Sequence, residues 1–186
     1  YESATKLIID TCPNSKDIPD EVLKLADIIN DYDSYQLKLP ETLKINAIFG
    51  TYTNPRVKSF VENFGNGIRP FTTYEQNAVK LYLNKLKEQL EADCFEGEIK
   101  GYNVVSCFAN YAVNEVAHFM LKKHKADIAI IVNLQTKSIN FRRSRTCIAK
   151  LNILAESLCD GGGHEYAAGG KVTDKFLTFT KLLKPC

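Results

Sequence analysis

The spacing of apolar positions changes rhythm near the middle of the chain. In the first half they recur at intervals of three and four. Ala4, Leu7 and Ile8 lie on one face of a short helix that Ser3 can cap. Pro19-Asp20-Glu21 opens a second helix, with Val22, Leu25, Ala26 and Ile29 facing inward. Residues 41 to 64 read as a helical pattern broken at Asn54-Pro55. Thr73 and Gln76 suggest a capping box for a long helix running to Asp93, with Val79, Leu83, Leu86 and Leu90 as its apolar line.

Beyond Glu96-Gly97 strands alternate with helices. Asn103 to Phe108 reads as a strand and Ala112 to Lys125 as a helix. The unbroken run Ile128 to Val132 is the pattern of a strand buried on both faces. Gln135-Thr136-Lys137 makes a hairpin turn into Ser138 to Arg143, where Ile139 and Phe141 alternate with polar residues. Cys147 to Leu158 reads as a core helix, and Asp174 to Leu183 closes the chain. The alternation is what an α/β or α+β domain gives, and we read the chain as α/β: residues 1–72 a helical lobe, 73–96 a connecting helix and 97–186 a smaller mixed-sheet domain.

Composition narrows the function classes. With 186 residues, 45% hydrophobic and 25% charged, the chain is ordinary for a soluble globular protein. A net charge of +2 gives little long-range pull on a nucleic-acid backbone, so a binder of long duplexes is disfavoured. Six cysteines without a C-x-x-C pair argue against a structural zinc site and a redox dithiol. No apolar run approaches a membrane span and no signal-peptide pattern opens the chain, so a cytoplasmic location with no membrane partner is expected. The oligomeric state, a homodimer included, is not set by the sequence.

The strongest chemical signal is Asp160-Gly161-Gly162-Gly163-His164-Glu165-Tyr166-Ala167-Ala168-Gly169. Three glycines can turn backbone N–H groups inward and let a phosphate sit against them, with His164 as a titratable donor at the rim. The same run would also serve as a flexible connection or permit close packing. Arg142, Arg143 and Arg145 end a strand, where a guanidinium can grip phosphate oxygens in bidentate fashion or lie in solvent. His164 fits either a phosphate contact or a general acid, while His118 and His124 read as structural.

The Gly-Gly-Gly-His run followed by Ala-Ala-Gly resembles the DHH-associated C-terminal domain of DHH phosphoesterases. The match covers roughly residues 98 to 186 and includes Arg143-Ser144 and Ile148-Ala149. The resemblance implies a metal-dependent phosphodiesterase acting on short oligonucleotides or small nucleotides. Arg143, Ser144, Gly161, Gly162, Gly163 and His164 would hold a substrate phosphate across an interlobe cleft. The segment Ala26 to Tyr35 is similar to the end of the DHH lobe, which makes Asp31 a catalytic metal ligand, with Asp33 as the alternate. Two divalent ions, manganese or magnesium, would clamp an in-line displacement. The family's early Asp-x-Asp on a strand, its later aspartate and its Asp-His-His have no counterpart in these 186 residues, so the metals are expected only with an N-terminal part, and this chain alone is expected to be inactive. A nucleotide- or RNA-binding module without catalysis and an assembly domain are the alternatives.

Overall fold

The computed structural model describes residues 3–13, 17–181 and 183–185. The chain forms two compact units, Tyr1–Leu83 and Asn84–Cys186. Among the described residues no helix is long and apolar enough to cross a membrane.

The first unit is helical: α1 (Ala4–Thr11), α2 (Asp20–Asp33), α3 (Thr42–Thr51), α4 (Arg56–Phe64) and the start of α5 (Thr73–Leu90). Ser3 caps α1 by accepting from the Lys6 N–H at 3.2 Å. Leu25, Ala26, Ile28, Ile45, Ile48 and Phe64 are buried at the spacing of helix faces. The capping box of α5 sits one residue earlier than expected. The Glu75 N–H donates to Thr72 Oγ1, and the Thr72 N–H donates to Glu75 Oε2 at 2.7 Å. A carboxylate accepts more strongly than the Gln76 amide, which instead donates to the Phe71 carbonyl. The apolar line of α5 also differs from expectation. Val79, Tyr82 and Leu86 are buried while Leu83 is exposed, and the Tyr82 hydroxyl accepts from the Asn46 amide.

The second unit is a sheet with helices on both faces. Its elements are β1 (Cys94–Ile99), β2 (Tyr102–Phe108), α6 (Val113–Lys123), β3 (Ile128–Asn133), β4 (Ser138–Arg143), α7 (Leu151–Cys159), β5 (Gly162–His164), β6 (Ala167–Lys171), α8 (Asp174–Thr180) and β7 (Lys184–Pro185). The strand order is β5-β6-β4-β3-β2-β1-β7. Among the described residues only β2 and β3 pair in parallel, joined through α6, as a parallel pair requires a crossover. β3 is buried along its whole length, as its apolar run predicted. Ile128, Ile130, Ile139 and Phe141 pack with Leu151, Leu154 and Ala155 of α7.

Two differences from the sequence reading shape the site. Helix α7 starts at Leu151, not Cys147, because the preceding segment is tied elsewhere: the Leu151 N–H donates to the Glu165 carbonyl, and Arg143 donates to the Ala149 carbonyl. The glycine run is also not a loop. Gly162 to His164 is the edge strand β5, paired antiparallel with β6.

Candidate phosphate-binding site

The β5–β6 hairpin places its glycines for different reasons. A Cβ on Gly161 would strike the Gly169 carbonyl oxygen. One on Gly163, whose φ is +140°, would meet the Ala167 carbonyl oxygen and Ala168 Cα, both at 2.7 Å. These glycines allow β5 to lie close against β6. A Cβ on Gly162 would meet nothing within 4 Å. Of the three, Gly162 alone leaves bare backbone open to a ligand.

Cross-strand register decides which side chains share the face of Gly162. Ala167 pairs with His164 on one side and with Arg142 on the other. Directly opposed residues point to the same face, so His164, Ala167 and Arg142 form one row. His164 and Arg142 stand two strand spacings apart, about 10 Å between Cα atoms, with only a methyl group between them. The Arg142 guanidinium is held by Asn114 of α6, which accepts from Nη2 at 2.6 Å, and by the Phe141 carbonyl, which accepts from Nη1 at 2.8 Å. The His164 ring is exposed and stacks on Tyr166, with centroids 5.8 Å apart and planes 13° apart.

Arg143 lies on the other face. It shares the side of Ile139 and Phe141, and its Nη1 donates to the Ala149 carbonyl at 3.1 Å. Near it Lys150 pairs with Glu165 at 2.8 Å and holds the Glu165 carboxyl below its ordinary value. The Ser144 N–H donates to the Asp127 carbonyl, and its hydroxyl lies 3.4 Å from that of Thr146. The structure therefore brings Gly162, His164 and Arg142 to one face, and puts Arg143 on the opposite one. Sequence reasoning chose Arg143 from three neighbouring arginines, whereas the register puts Arg142 in the row of His164. The signal is the pairing of β4 with β6, which links residues about 25 apart in the chain.

In the first unit Asp31 is buried at the end of α2. Its carboxylate accepts from the N–H groups of Lys38, at 3.1 and 2.9 Å, and Leu39, at 3.0 Å, and from the Thr42 hydroxyl at 2.6 Å. Burial pushes this carboxyl up, but the bonds from Thr42, Leu39 and Lys38 together outweigh it and hold it below its ordinary value. Oδ2 is filled by three of these contacts. Asp33 is exposed to solvent overall but lines the rim of a cavity of about 290 Å³ with Ile28, Tyr32, Phe49 and Phe60, and partial desolvation at that rim raises its carboxyl. Among the described residues no three His, Cys, Asp or Glu side chains form a group that could hold a metal. The residues present do not fit a two-metal site.

The fold is shared with known proteins. The pGpG-specific phosphodiesterase PggH from Vibrio cholerae superposes with a TM-score of 0.63 at 15% sequence identity, covering 95% of this chain and 69% of that one. An exopolyphosphatase-related protein from Bacteroides fragilis superposes with a TM-score of 0.51 at 12% identity, covering 97% of this chain and 55% of that one. No protein-family model matches the chain, and no curated protein matches it by sequence. The chain shares with these proteins an α/β fold in which helices precede a mixed sheet, the fold class that the sequence predicts.

Proposed function

We propose that this chain is the substrate-binding part of a phosphodiesterase that acts on short oligonucleotides or small nucleotides. The observation that carries the reading is the row His164–Ala167–Arg142 beside the open backbone of Gly162. An imidazole and a guanidinium on one sheet face, on either side of the Ala167 methyl group, can both donate to one phosphate. Tyr166, 51% exposed and stacked on His164, adds a ring on which a nucleobase can lie. One such cradle suits a short ligand, in keeping with the small net charge. The role proposed for these residues is to bind and orient the phosphate, and no step of it runs through a metal. Hydrolysis with manganese or magnesium belongs to the reading of the whole protein.

A second reading, a nucleotide- or RNA-binding module without hydrolysis, is favoured by Asp31. The carboxylate expected to hold a metal already serves Lys38, Leu39 and Thr42.

The test is equilibrium binding of a labelled three-nucleotide RNA and of a mononucleotide, without metal, to the wild-type chain and to His164→Ala, Arg142→Ala and Arg143→Ala. Saturable binding that His164→Ala and Arg142→Ala each weaken by about 1–3 kcal/mol supports the cradle. Binding that only Arg143→Ala weakens moves the phosphate to the other face. No binding by the folded wild-type chain overturns the reading. Assay of the whole protein with each ligand then separates hydrolysis from binding alone.

A further inference from the structure

The end of α6 and strand β1 build a second cluster that the phosphate reading does not use. Cys94 Sγ lies 3.6 Å from Nε2 of His124, and Nδ1 of the same ring lies 2.7 Å from Glu96 Oε1. Cys94 and Glu96 are two residues apart on β1 and so share a face. His124 is the C-cap of α6, and its side chain is 12% exposed. A carboxylate at Nδ1 keeps the ring proton there and leaves the Nε2 lone pair for the thiol. A base aimed at a nucleophile and oriented by a third group is the arrangement that activates a thiol.

A second thiol stands opposite the first. Cys107 of β2 is the direct cross-strand partner of Cys94. Lys100 and Gly101, both at positive φ, form the two-residue turn of this hairpin, so Ile99 and Tyr102 make the hydrogen-bonded closing pair. Hydrogen-bonded and non-hydrogen-bonded pairs alternate from there, which puts Cys94 and Cys107 at a non-hydrogen-bonded position. Cα atoms at such positions are about 4.5 Å apart, inside the range a disulfide accepts. Cys94 is partly exposed and Cys107 is 1% exposed. Burial pushes the Cys107 thiol up to about 12, so it keeps its proton while Cys94 faces the base. The spacing of cysteines along the chain argues against a dithiol, but the strand pairing assembles one.

We propose that Cys94 and Cys107 are a peroxide-reactive dithiol, in which His124 and Glu96 activate Cys94 for the first oxidation. Nε2 of His124 takes the Cys94 proton, and the thiolate attacks one oxygen of hydrogen peroxide. The S–O bond forms as the O–O bond breaks, and the departing oxygen leaves as water with the proton from the imidazolium. The Cys107 thiol then attacks the sulfenic acid. The S–S bond forms, the S–O bond breaks, and the hydroxyl leaves as a second water with the Cys107 proton. Two thiols and one peroxide give one disulfide and two waters.

The experiment treats the full chain with hydrogen peroxide, blocks remaining thiols with iodoacetamide and reads tryptic peptides by mass spectrometry. Lys100 separates the two cysteines into different peptides, so the bond appears as a linked mass. The first disulfide is expected between Cys94 and Cys107. Cys107→Ser should stop at a Cys94 sulfenic acid that dimedone traps. Glu96→Gln and His124→Ala, with their melting temperatures checked, should each slow oxidation of Cys94 about tenfold. In the unmutated chain Cys94 should react faster than Cys12, which is also partly exposed. Equal reactivity of Cys94 and Cys12 would overturn the proposal. So would a first disulfide to Cys186, or folded Glu96→Gln and His124→Ala variants that oxidise at the wild-type rate.

Discussion

His164 and Arg142 occupy one cross-strand row, each paired directly with Ala167. If both hold the same phosphate, their contributions are coupled. The double variant His164→Ala/Arg142→Ala should lose less affinity for a mononucleotide than the sum of the single losses, with a coupling of about 0.5–3 kcal/mol. Additive losses, measured by titration in a double-mutant cycle, would place the two side chains on different ligand groups.

The glycines should separate stability from binding. Gly161→Ala and Gly163→Ala press a methyl group into backbone of β6, and Gly163 adds a positive φ. Each should cost about 1–3 kcal/mol in urea unfolding. Gly162→Ala meets open space and should change stability by no more than about 1 kcal/mol. It should nevertheless weaken nucleotide binding, because its methyl group fills the face that the phosphate approaches.

Glu75 links stability to pH. Its carboxylate takes two bonds from the Arg69 guanidinium, at 2.8 and 2.9 Å, and one from the Thr72 N–H. The Arg69 hydrogen bonds, aided by those from Thr72 and opposed by burial, lower it from 4.5 to about 2. A folded value below the unfolded one means stability that is present above pH 4.5 and lost as pH falls towards 2. At pH 7 Glu75→Gln should destabilise the protein by about 1–3 kcal/mol. That gap should shrink between pH 4.5 and 2, as thermal unfolding across that window would record.

Asp31 should matter for stability without any metal. Asp31→Ala leaves the Lys38 and Leu39 N–H groups and the Thr42 hydroxyl without their acceptor, at a cost of about 2–4 kcal/mol. Urea unfolding in the presence of a chelator tests this. A variant as stable as the wild type would mean that water replaces the carboxylate and would free Asp31 for a ligand role.

Much of the architecture was legible in the sequence because local pattern records which side of an element is apolar. The unbroken Ile128 to Val132 run, the alternation of Ile139 and Phe141 and the spacing of Val113, Val116 and Met120 correspond to β3, β4 and α6. The glycine–histidine segment was equally visible as a place of close backbone approach. Tertiary structure decided what these elements share. Neighbouring residues of a strand face opposite ways, so the choice between Arg142 and Arg143 waits on how β4 pairs with β6. The strands β5 and β6 are rich in glycine and alanine and carry almost no β signal of their own. They are strands because β4 supplies a partner. The meeting of Cys94, Glu96 and His124 depends on a hairpin and a crossover helix returning to one place. Periodicity along a chain encodes burial, whereas register between distant strands is set only when their backbone groups pair, and the candidate sites of this protein are products of register.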